Sequence, residues 1–368
     1  MGLFGVNGLP KPGNLTGHAP SGLAVGSSRG PARISVSGLG RLMRAFRKLP
    51  MLPVIILVAL VFSFTVDGFL SVFNLQNIMR QLSVILIAVS GETLVLLIGG
   101  IDLSVGAIIS LASISGAYGM HFTGSAPLGV LVCLAVGITA GALNGFGISR
   151  IGLQPFIMTF GMLLTTRAIA FLLTGGMSVG RLPTIMLEGG EWNILDIPFV
   201  FVIGLVVTIL TGLILSRSLF GQKIYLIGTN PRAAIFSGVD VKRVTFQVYL
   251  IAGALSGFAA FVFMMRLGDA EPTAGDPLLL QIIGAAVLGG TSLTGGEGGI
   301  TRSASGALLI TMLAAGLDLL GAQFWDQMIV IGVLIALGSA LGTWLIQRRV
   351  GESNVAASSP ARQDGGSG

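Results

Sequence analysis

The chain has 368 residues, of which 53% are hydrophobic and only 10% are charged, and its formal net charge is +6. Soluble globular domains carry about a quarter charged residues, so this composition excludes a protein whose whole surface faces water. Apolar runs of roughly 20 residues recur along the sequence, and that length crosses the ~30 Å hydrocarbon core as a helix. The composition therefore predicts an all-α polytopic membrane protein.

Residue types that catalysis and metal binding need are scarce. The chain has one cysteine, Cys133, and two histidines, His18 and His121, far apart in the sequence. A thiolate metal cluster, a histidine metal site and a Ser-His-Asp triad are therefore improbable. A G-x-x-x-x-G-K-[ST] phosphate-binding loop is also absent from the sequence. We expect no catalytic residue, metal or cofactor on this chain, and any ATP and Mg²⁺ would be bound by a partner.

The two ends of the chain differ from its centre. Residues 1–48 are rich in Gly, Pro and Ser and become basic toward Lys48. This composition predicts a disordered basic cytoplasmic arm, since it cannot bury an apolar core. The polar stretch 348–368 predicts a disordered cytoplasmic tail. The transmembrane domain is then 49–347.

The transmembrane domain contains ten apolar segments, at about 51–66, 78–98, 103–120, 127–148, 156–174, 198–216, 245–266, 278–294, 303–321 and 327–346. With the N-terminus inside, cytoplasmic loops and tails hold all of the 21 Lys and Arg residues except Arg80, Arg167, Arg181 and Arg266. This is the positive-inside pattern, so we expect about ten spans and two cytoplasmic termini. The net charge therefore records topology, and we expect contact with lipid and none with nucleic acid.

The stretch GGIDLSVG, Gly99 to Gly106, interrupts the apolar sequence between the second and third segments. Gly99 and Gly100 favour the end of a helix, and Asp102 or Ser104 can cap the next one. The structural interpretation is a tight break between helices. The functional alternative is a break that lines a translocation path, because irregular backbone at membrane depth persists only where protein or water covers it.

A second stretch, Gly289-Gly290-Thr-Ser-Leu-Thr-Gly-Gly296, shares the pattern G-G-x-x-L-[ST]-x-G with the first. Paired glycine-interrupted segments often mark transport pathways. The alternative is chance repetition, since the chain has 56 glycines.

Two charged residues fall inside the apolar segments, Glu92 and Arg167. Charges at the centre of a membrane helix are costly, so each should face the interior of the bundle. At 1.5 Å per residue they lie ~9 Å and ~16 Å above the inner boundary. We expect these two side chains to pair or to share a water molecule, and to belong to the translocation path.

The loop 217–244 is the longest inner connection. Asn230 and Pro231 favour the start of a short helix, as cap and first residue, and Gly238 favours its end. Between them, Arg232, Ala233, Ala234, Ile235 and Phe236 offer a small and apolar surface suited to a groove on a partner. The alternative is a helix that lies on the membrane surface, anchored by Phe236.

Together these stretches resemble the permease subunits of ABC importers for simple sugars of the ribose/xylose/arabinose/galactose type. The likeness rests on GGIDLSVG, on GTNPRAAIFSGVDV from Gly228 to Val241, on VLGGTSLTGGEGG from Val287 to Gly299 and on FWDQMIVIGVLIALG in the last segment. It covers about residues 50–346.

The resemblance implies a location in the bacterial inner membrane and three partners. They are a second copy or a sister permease, a cytoplasmic ATPase with two nucleotide-binding cassettes, and an extracytoplasmic sugar-binding protein. It also implies that Gly228 to Gly238 couples to the ATPase. Arg181 and Arg266, basic residues among acidic outer loops, are candidates for docking the binding protein through complementary charge.

Other functions remain open at this stage. Within the permease class, the substrate could instead be a branched-chain amino acid or a nucleoside. In a different class, a cation-coupled secondary transporter would use intramembrane acids or histidines as relays, and the sequence offers few of them. A channel would need a recognisable filter, and an intramembrane enzyme a converging nucleophile and base; the sequence shows neither.

Overall fold

A computed structural model of the single chain describes residues 51–338. The predicted arm 1–48 and tail 348–368 lie outside the described residues, as does the end of the last apolar segment. The described part is a bundle of helices, with one two-stranded hairpin in a connection.

Thirteen α-helices follow one another in the described part of the chain. They are α1 Leu52–Thr65, α2 Val72–Leu97, α3 Val105–Thr123, α4 Ala126–Phe146, α5 Pro155–Thr174, α6 Thr184–Glu191, α7 Phe199–Arg217, α8 Leu219–Thr229, α9 Pro231–Phe236, α10 Val241–Leu267, α11 Asp276–Leu288, α12 Ile300–Leu319 and α13 Phe324–Gly338. A π-helical turn, Gly147–Ile151, extends α4. Strands β1 Asn193–Ile194 and β2 Ile197–Pro198 pair antiparallel between α6 and α7.

Each predicted apolar segment corresponds to one of these helices, which confirms the all-α polytopic prediction. Within residues 51–338, seven helices are long and apolar enough to cross a membrane: α2, α3, α4 with its π-helical turn, α5, α7, α10 and α12. Three others, α1, α11 and α13, are apolar but shorter. The count of ten spans therefore stays a prediction for these three helices.

Helix α2 is the centre of the bundle. Ser71 caps its start by accepting a hydrogen bond from the backbone N–H of Asn74, and the helix begins at Val72, six residues before the predicted start of this segment. Every residue from Leu82 to Leu97 is buried, because α2 packs against α7, α10, α11 and α12. A helix apolar on all sides is expected to be surrounded in this way.

Helices α4 and α10 approach closely through glycines. Gly137 and Gly141 lie against Gly253, where a side chain would collide with the facing backbone. Gly145 continues the row against Phe246. Small residues at four-residue spacing allow membrane helices to pack backbone to backbone, so this glycine row is structural.

The bundle has two ends, the α9 end and the α6 end, each with the short helix for which it is named. At the α9 end, α8 and α9 connect α7 with α10. At the α6 end, α6 packs against the last turn of α10, with Gly190 directly against the carbonyl of Met265. Seven basic residues of the described part lie at or near the α9 end, as the positive-inside pattern predicts; they are Arg150, Arg217, Lys223, Arg232, Lys242, Arg243 and Arg302.

Helix α11 differs from the predicted apolar segment 278–294. It begins at Asp276, which the sequence pattern assigned to an outer loop, and it ends at Leu288. Its 13 residues span about 20 Å, less than the hydrocarbon core. Its start lies inside the bundle, because the backbone N–H of Gly275 donates to Ser110 Oγ of α3 at 2.9 Å. Residues 268–275 thus run from the α6 end into the bundle before the helix begins.

Candidate functional site

The GGIDLSVG stretch forms the predicted break. Helix α2 ends at Leu97 and α3 begins at Val105. Gly99 has φ +77°, a left-handed conformation that glycine adopts without strain. Gly100 lies against Tyr249 of α10, where a Cβ would be only 2.5 Å from the Tyr249 Oη. Gly106 packs against Gly275, so the break also receives the start of α11.

The polar side chains of the break face the interior of the single chain. Asp102 accepts hydrogen bonds from the backbone N–H of Ser104 at 2.8 Å and from its hydroxyl. Asn144 Nδ2 donates to Ser104 Oγ at 2.9 Å. Glu92 Oε1 accepts from the backbone N–H of Asp102 at 3.3 Å. All four residues are 0–2% exposed, so this network holds α2, α3 and α4 together and has no open side.

The capping prediction is right in part. Ser104 is the residue before α3, but its side chain makes no capping bond to the helix. Asp102 instead binds Ser104 itself, and so fixes the turn that leads into α3. The prediction that Glu92 faces the interior is confirmed, since Glu92 is 1% exposed.

The predicted direct pair of Glu92 with Arg167 is wrong, and a shared water molecule stays a prediction. Arg167 Nη2 lies 2.8 Å from Asp276 Oδ2, and the two side chains are 44% and 35% exposed. Arg167 therefore stands on the outer surface of the single chain rather than in its interior. The sequence pattern missed this pair because it placed Asp276 in an outer loop. In the structure, residues 268–275 run into the bundle, so that Asp276 lies at the same height as Arg167 of α5.

The second motif surrounds the end of α11. Gly289 packs against the carbonyl of Arg302 at the start of α12, and Gly290 has φ +93°. Ser303 of α12 forms hydrogen bonds with Thr291 at 2.9 Å and with Thr93 of α2 at 2.7 Å. The two related motifs thus both end helices at the α9 end of the bundle.

The two motifs and the start of the third stretch meet at one point. The backbone N–H of Gly296 donates to the carbonyl of Leu97 at 2.9 Å. A Cβ on Gly295 would lie 2.8 Å from the backbone N of Gly99, and one on Gly228 would collide with the carbonyl of Leu97. The sequence patterns contain all of these glycines, Gly99 in the first motif, Gly295 and Gly296 in the second and Gly228 before α9, but predicted no contact between them. The repeated glycine pairs indicated two helix ends. That these ends touch each other could not be predicted, because the contacts join residues that are far apart in the sequence.

Tyr225 on α8 fixes the loop that follows this contact point. Its hydroxyl donates to the carbonyl of Gly298 at 3.0 Å. Burial raises the pKa of the Tyr225 phenol, and the nearby Arg302 opposes that shift. The phenol is therefore neutral at physiological pH and remains a hydrogen-bond donor.

The short helix α9 follows the sequence prediction closely. Asn230 Oδ1 accepts from the backbone N–H of Ala233 at 3.0 Å, and Pro231 is the first helical residue. Gly238, with φ +77°, follows the end of the helix. Phe236 is 91% and Ile235 60% exposed, so α9 presents an apolar surface at the α9 end.

One residue of that predicted surface faces the other way. Ala234 is 0% exposed and packs with Ile224, Ile227 and Val244 beneath α9. The helix has 3.6 residues per turn, so consecutive residues cannot all point outward. The exposed surface consists of Arg232, Ile235 and Phe236, with Ala233 at its edge.

Arg181 and Arg266 both lie toward the α6 end, on segments that are joined by backbone hydrogen bonds. Val179 and Ala270 exchange bonds of 2.8 and 3.1 Å, which ties the loop after α5 to the loop after α10. Arg181 is exposed, whereas Arg266 is half-buried. Only Arg181 is freely accessible to a macromolecule in the single chain.

Metal ligands are not grouped in the described part of the chain. Across residues 51–338, no three His, Cys, Asp or Glu side chains come together as a metal site would need. Cys133, the one cysteine, is buried.

Comparison with known proteins places these features in context. The chain matches the sequence profile of the family described as "Branched-chain amino acid transport system / permease component" over residues 74–338. It is 37% identical to the ribose import permease protein of Bacillus subtilis (strain 168), over 79% of this chain and 91% of that protein. The fructose import permease protein of Rhizobium meliloti is 32% identical, over 80% and 85% of the two chains.

The D-allose transport system permease protein of Escherichia coli (strain K12) is 34% identical, over 78% of this chain and 88% of the other. No solved structure matches significantly. Residues 74–338, which match the family profile, include the break, the second glycine motif and α9.

Proposed function

The chain belongs to the permease-component family of branched-chain amino acid transport systems, and we propose that it conducts a simple sugar as the membrane subunit of an ATP-driven importer. The observation that carries this proposal is the similarity, over about 80% of the chain, to permeases named for ribose, fructose and allose. The family description itself names branched-chain amino acids, so these are the second candidate substrates.

The chain is a multi-pass integral membrane protein and a transport component. We place it in the bacterial inner membrane with the α9 end in the cytoplasm. The gathering of basic residues at that end supports this orientation. ATP hydrolysis would be carried out by a separate chain with two nucleotide-binding cassettes, and a second permease copy or a sister permease would complete the translocation path.

Helix α9 is the proposed contact with the ATPase. Its exposed Ile235 and Phe236 form an apolar knob at the end of the bundle. Gly228 lies at the end of α8, two residues before the Asn230 cap. It packs against the carbonyl of Leu97, where α2 ends, and against the backbone of Gly296 in the motif that follows α11. A force on α9 would therefore reach the ends of two membrane helices through direct backbone contact.

The α6 end is the proposed docking face for a sugar-binding protein. Arg181 is exposed there, and the loops and the short helix of the same end carry the acids Glu188, Glu191, Asp269 and Glu271. Rim charges of this kind set the encounter rate and register more than the affinity.

A reconstituted importer tests the proposal. The chain would be placed in liposomes with its ATPase, and a loaded binding protein and a radiolabelled solute would be supplied outside. We expect uptake of ribose, fructose or allose that requires ATP and the binding protein. Uptake of leucine or of a nucleoside, with no sugar uptake, would refute the sugar assignment. Uptake that follows a cation gradient without ATP would refute the importer class.

A further inference from the structure

The ion pair between Arg167 and Asp276 stands at half height in the membrane part of the chain. Arg167 lies 12 residues after Pro155, about 18 Å along a helix whose 20 residues span about 30 Å. The Thr159 hydroxyl donates to the carbonyl of Ile101 at 3.1 Å, so α5 starts level with the break after α2. The pair is therefore well inside the hydrocarbon core.

Asp276 reaches this depth because α11 is a half-helix. The segment 268–275, which ends in a turn, enters from the α6 end, and Ser110 of α3 holds Gly275 at 2.9 Å. Asp276 is then the first residue of α11. A half-helix whose start lies at mid-membrane is a common way to place a polar group along a transport pathway.

The pair faces outward from the single chain although it is charged. Arg167 and Asp276 side chains are 44% and 35% exposed, whereas the two acids at the break after α2, Glu92 and Asp102, are at most 2% exposed. Ionisable residues within membrane segments face a bundle interior or a water-filled cavity, because lipid cannot solvate them. In the assembled transporter the face that carries this pair is therefore covered by another chain or lines an aqueous space, and a site on the translocation path requires the second arrangement.

We propose that Arg167 and Asp276 form a hydroxyl-binding site for the transported sugar at the midpoint of the path. This inference rests on the proposed function. The Arg167 guanidinium donates hydrogen bonds and the Asp276 carboxylate accepts them, so the pair matches a neutral polyol whose hydroxyls do both. The pair has no net charge, so a neutral solute is held by hydrogen bonds and is not opposed by an unpaired charge.

A double apolar variant, Arg167→Met with Asp276→Leu, separates this role from a structural one. An ion pair that only holds helices together can often be replaced by apolar side chains of similar volume. The experiment uses the reconstituted importer with saturating loaded binding protein. We expect normal assembly and normal stimulation of ATP hydrolysis, with sugar uptake reduced at least about tenfold, since hydrogen bonds to charged groups are lost.

The matched control is Ile169→Met, on the same helix at the other edge of its exposed surface, which should leave uptake within about twofold of the unaltered chain. Uptake within about twofold in the double variant would overturn the inference, and so would a parallel loss of assembly and ATP hydrolysis.

A second variant, Asp276→Asn, tests the hydroxyl contact itself. It should change the ratio of the uptake rate of the sugar to the uptake rates of its deoxy analogues, and an unchanged ratio would count against hydroxyl contact. If the unaltered chain carried amino acids and no sugar, the proposed function would fail instead, and the variants would not be needed to show it.

Discussion

The break after α2 and the start of α11 each place a carboxylate in the apolar part of the bundle, but the two carboxylates have different surroundings. Asp102 is 2% exposed and binds the backbone and hydroxyl of Ser104. Asp276 has a side chain that is 35% exposed and binds a guanidinium. The two carboxylates therefore differ in what can reach them: Asp102 meets only the interior of the single chain, whereas Asp276 is accessible from outside it. The sequence pattern placed Asp102 in the break and Asp276 in an outer loop, so it did not predict that both carboxylates lie in the apolar part of the bundle.

Substitutions in the interior of the α9 end should destabilise the molecule more than substitutions elsewhere. Gly228→Val would drive a branched side chain into the carbonyl of Leu97 and the backbone of Gly296. Overpacking against backbone, which cannot rotate away, costs about 3 kcal/mol or more. We expect little folded protein, measured as the monodisperse yield in detergent and the thermal midpoint.

Gly161→Ala is the control for that substitution, because a Cβ at Gly161 meets no atom within 4 Å. It should fold normally. A Gly228→Val protein that melts within a few degrees of the unaltered chain would contradict the backbone convergence of the three motifs.

Replacing Asp102 should lower the stability of the chain more than replacing Asp276 does. Asp102→Ala leaves the buried N–H and hydroxyl of Ser104 without their acceptor, at about 1–3 kcal/mol for each unsatisfied group. Asp276→Ala removes a half-exposed pair, which contributes at most about 1 kcal/mol. Thermal unfolding in detergent compares the two variants directly. Equal losses of stability would mean that the two sites do not differ as their exposure indicates.

Exposed and buried residues of α9 should also have opposite effects. Phe236→Ala leaves stability unchanged, because the ring is 91% exposed, but it should weaken binding of the ATPase by about 2 kcal/mol if the ring is an interface anchor. Ala234→Glu should destabilise the chain instead, since Ala234 is fully buried. Affinity for the ATPase and thermal stability are measured on both variants. Normal ATPase binding by Phe236→Ala would reject α9 as the contact.

The smallest effect is expected at the α6 end. Arg181→Glu should slow association of the binding protein a few-fold at low salt and less at high salt, because a rim charge acts mainly on the encounter rate. Arg232→Glu, an exposed arginine at the opposite end, is the control and should leave that rate unchanged. Stopped-flow association over a range of salt concentrations measures both. Equal rates for Arg181→Glu and the unaltered chain at low salt would exclude this arginine from docking.

Much of the architecture was predictable, because membrane helices are encoded locally. Apolar length gave ten helices, glycine pairs gave the end of α2, and Asn230 with Pro231 gave the start of α9. Each of these depends on residues that are close in sequence. The burial of Ala234 needs the packing of α9 on α8 and α10, which depends on contacts beyond the helix itself.

The ion pair of Arg167 with Asp276 could not be predicted either, because it also depends on contacts between residues that are far apart in the sequence. The height of Arg167 could be counted from the start of its helix, but its neighbour depends on how α5 is rotated and on where α11 begins. Asp276 follows a polar stretch, and a polar stretch predicts a loop at the membrane surface. The hydrogen bond from Gly275 to Ser110 that draws this stretch inward joins residues 165 positions apart.

Labelling of one introduced cysteine at a time, in membranes, tests the contrast between the break after α2 and the start of α11 most directly. Leu280→Cys lies one turn after Asp276 on α11 at a position that is 48% exposed, and Ser104→Cys lies in the buried break. The native Cys133 is 0% exposed and should not react. A water-soluble thiol reagent should modify Leu280→Cys, and the transported sugar should slow that reaction, while Ser104→Cys stays unmodified. Modification of Ser104→Cys with no modification of Leu280→Cys would contradict the account, because it would place the aqueous path at the break after α2.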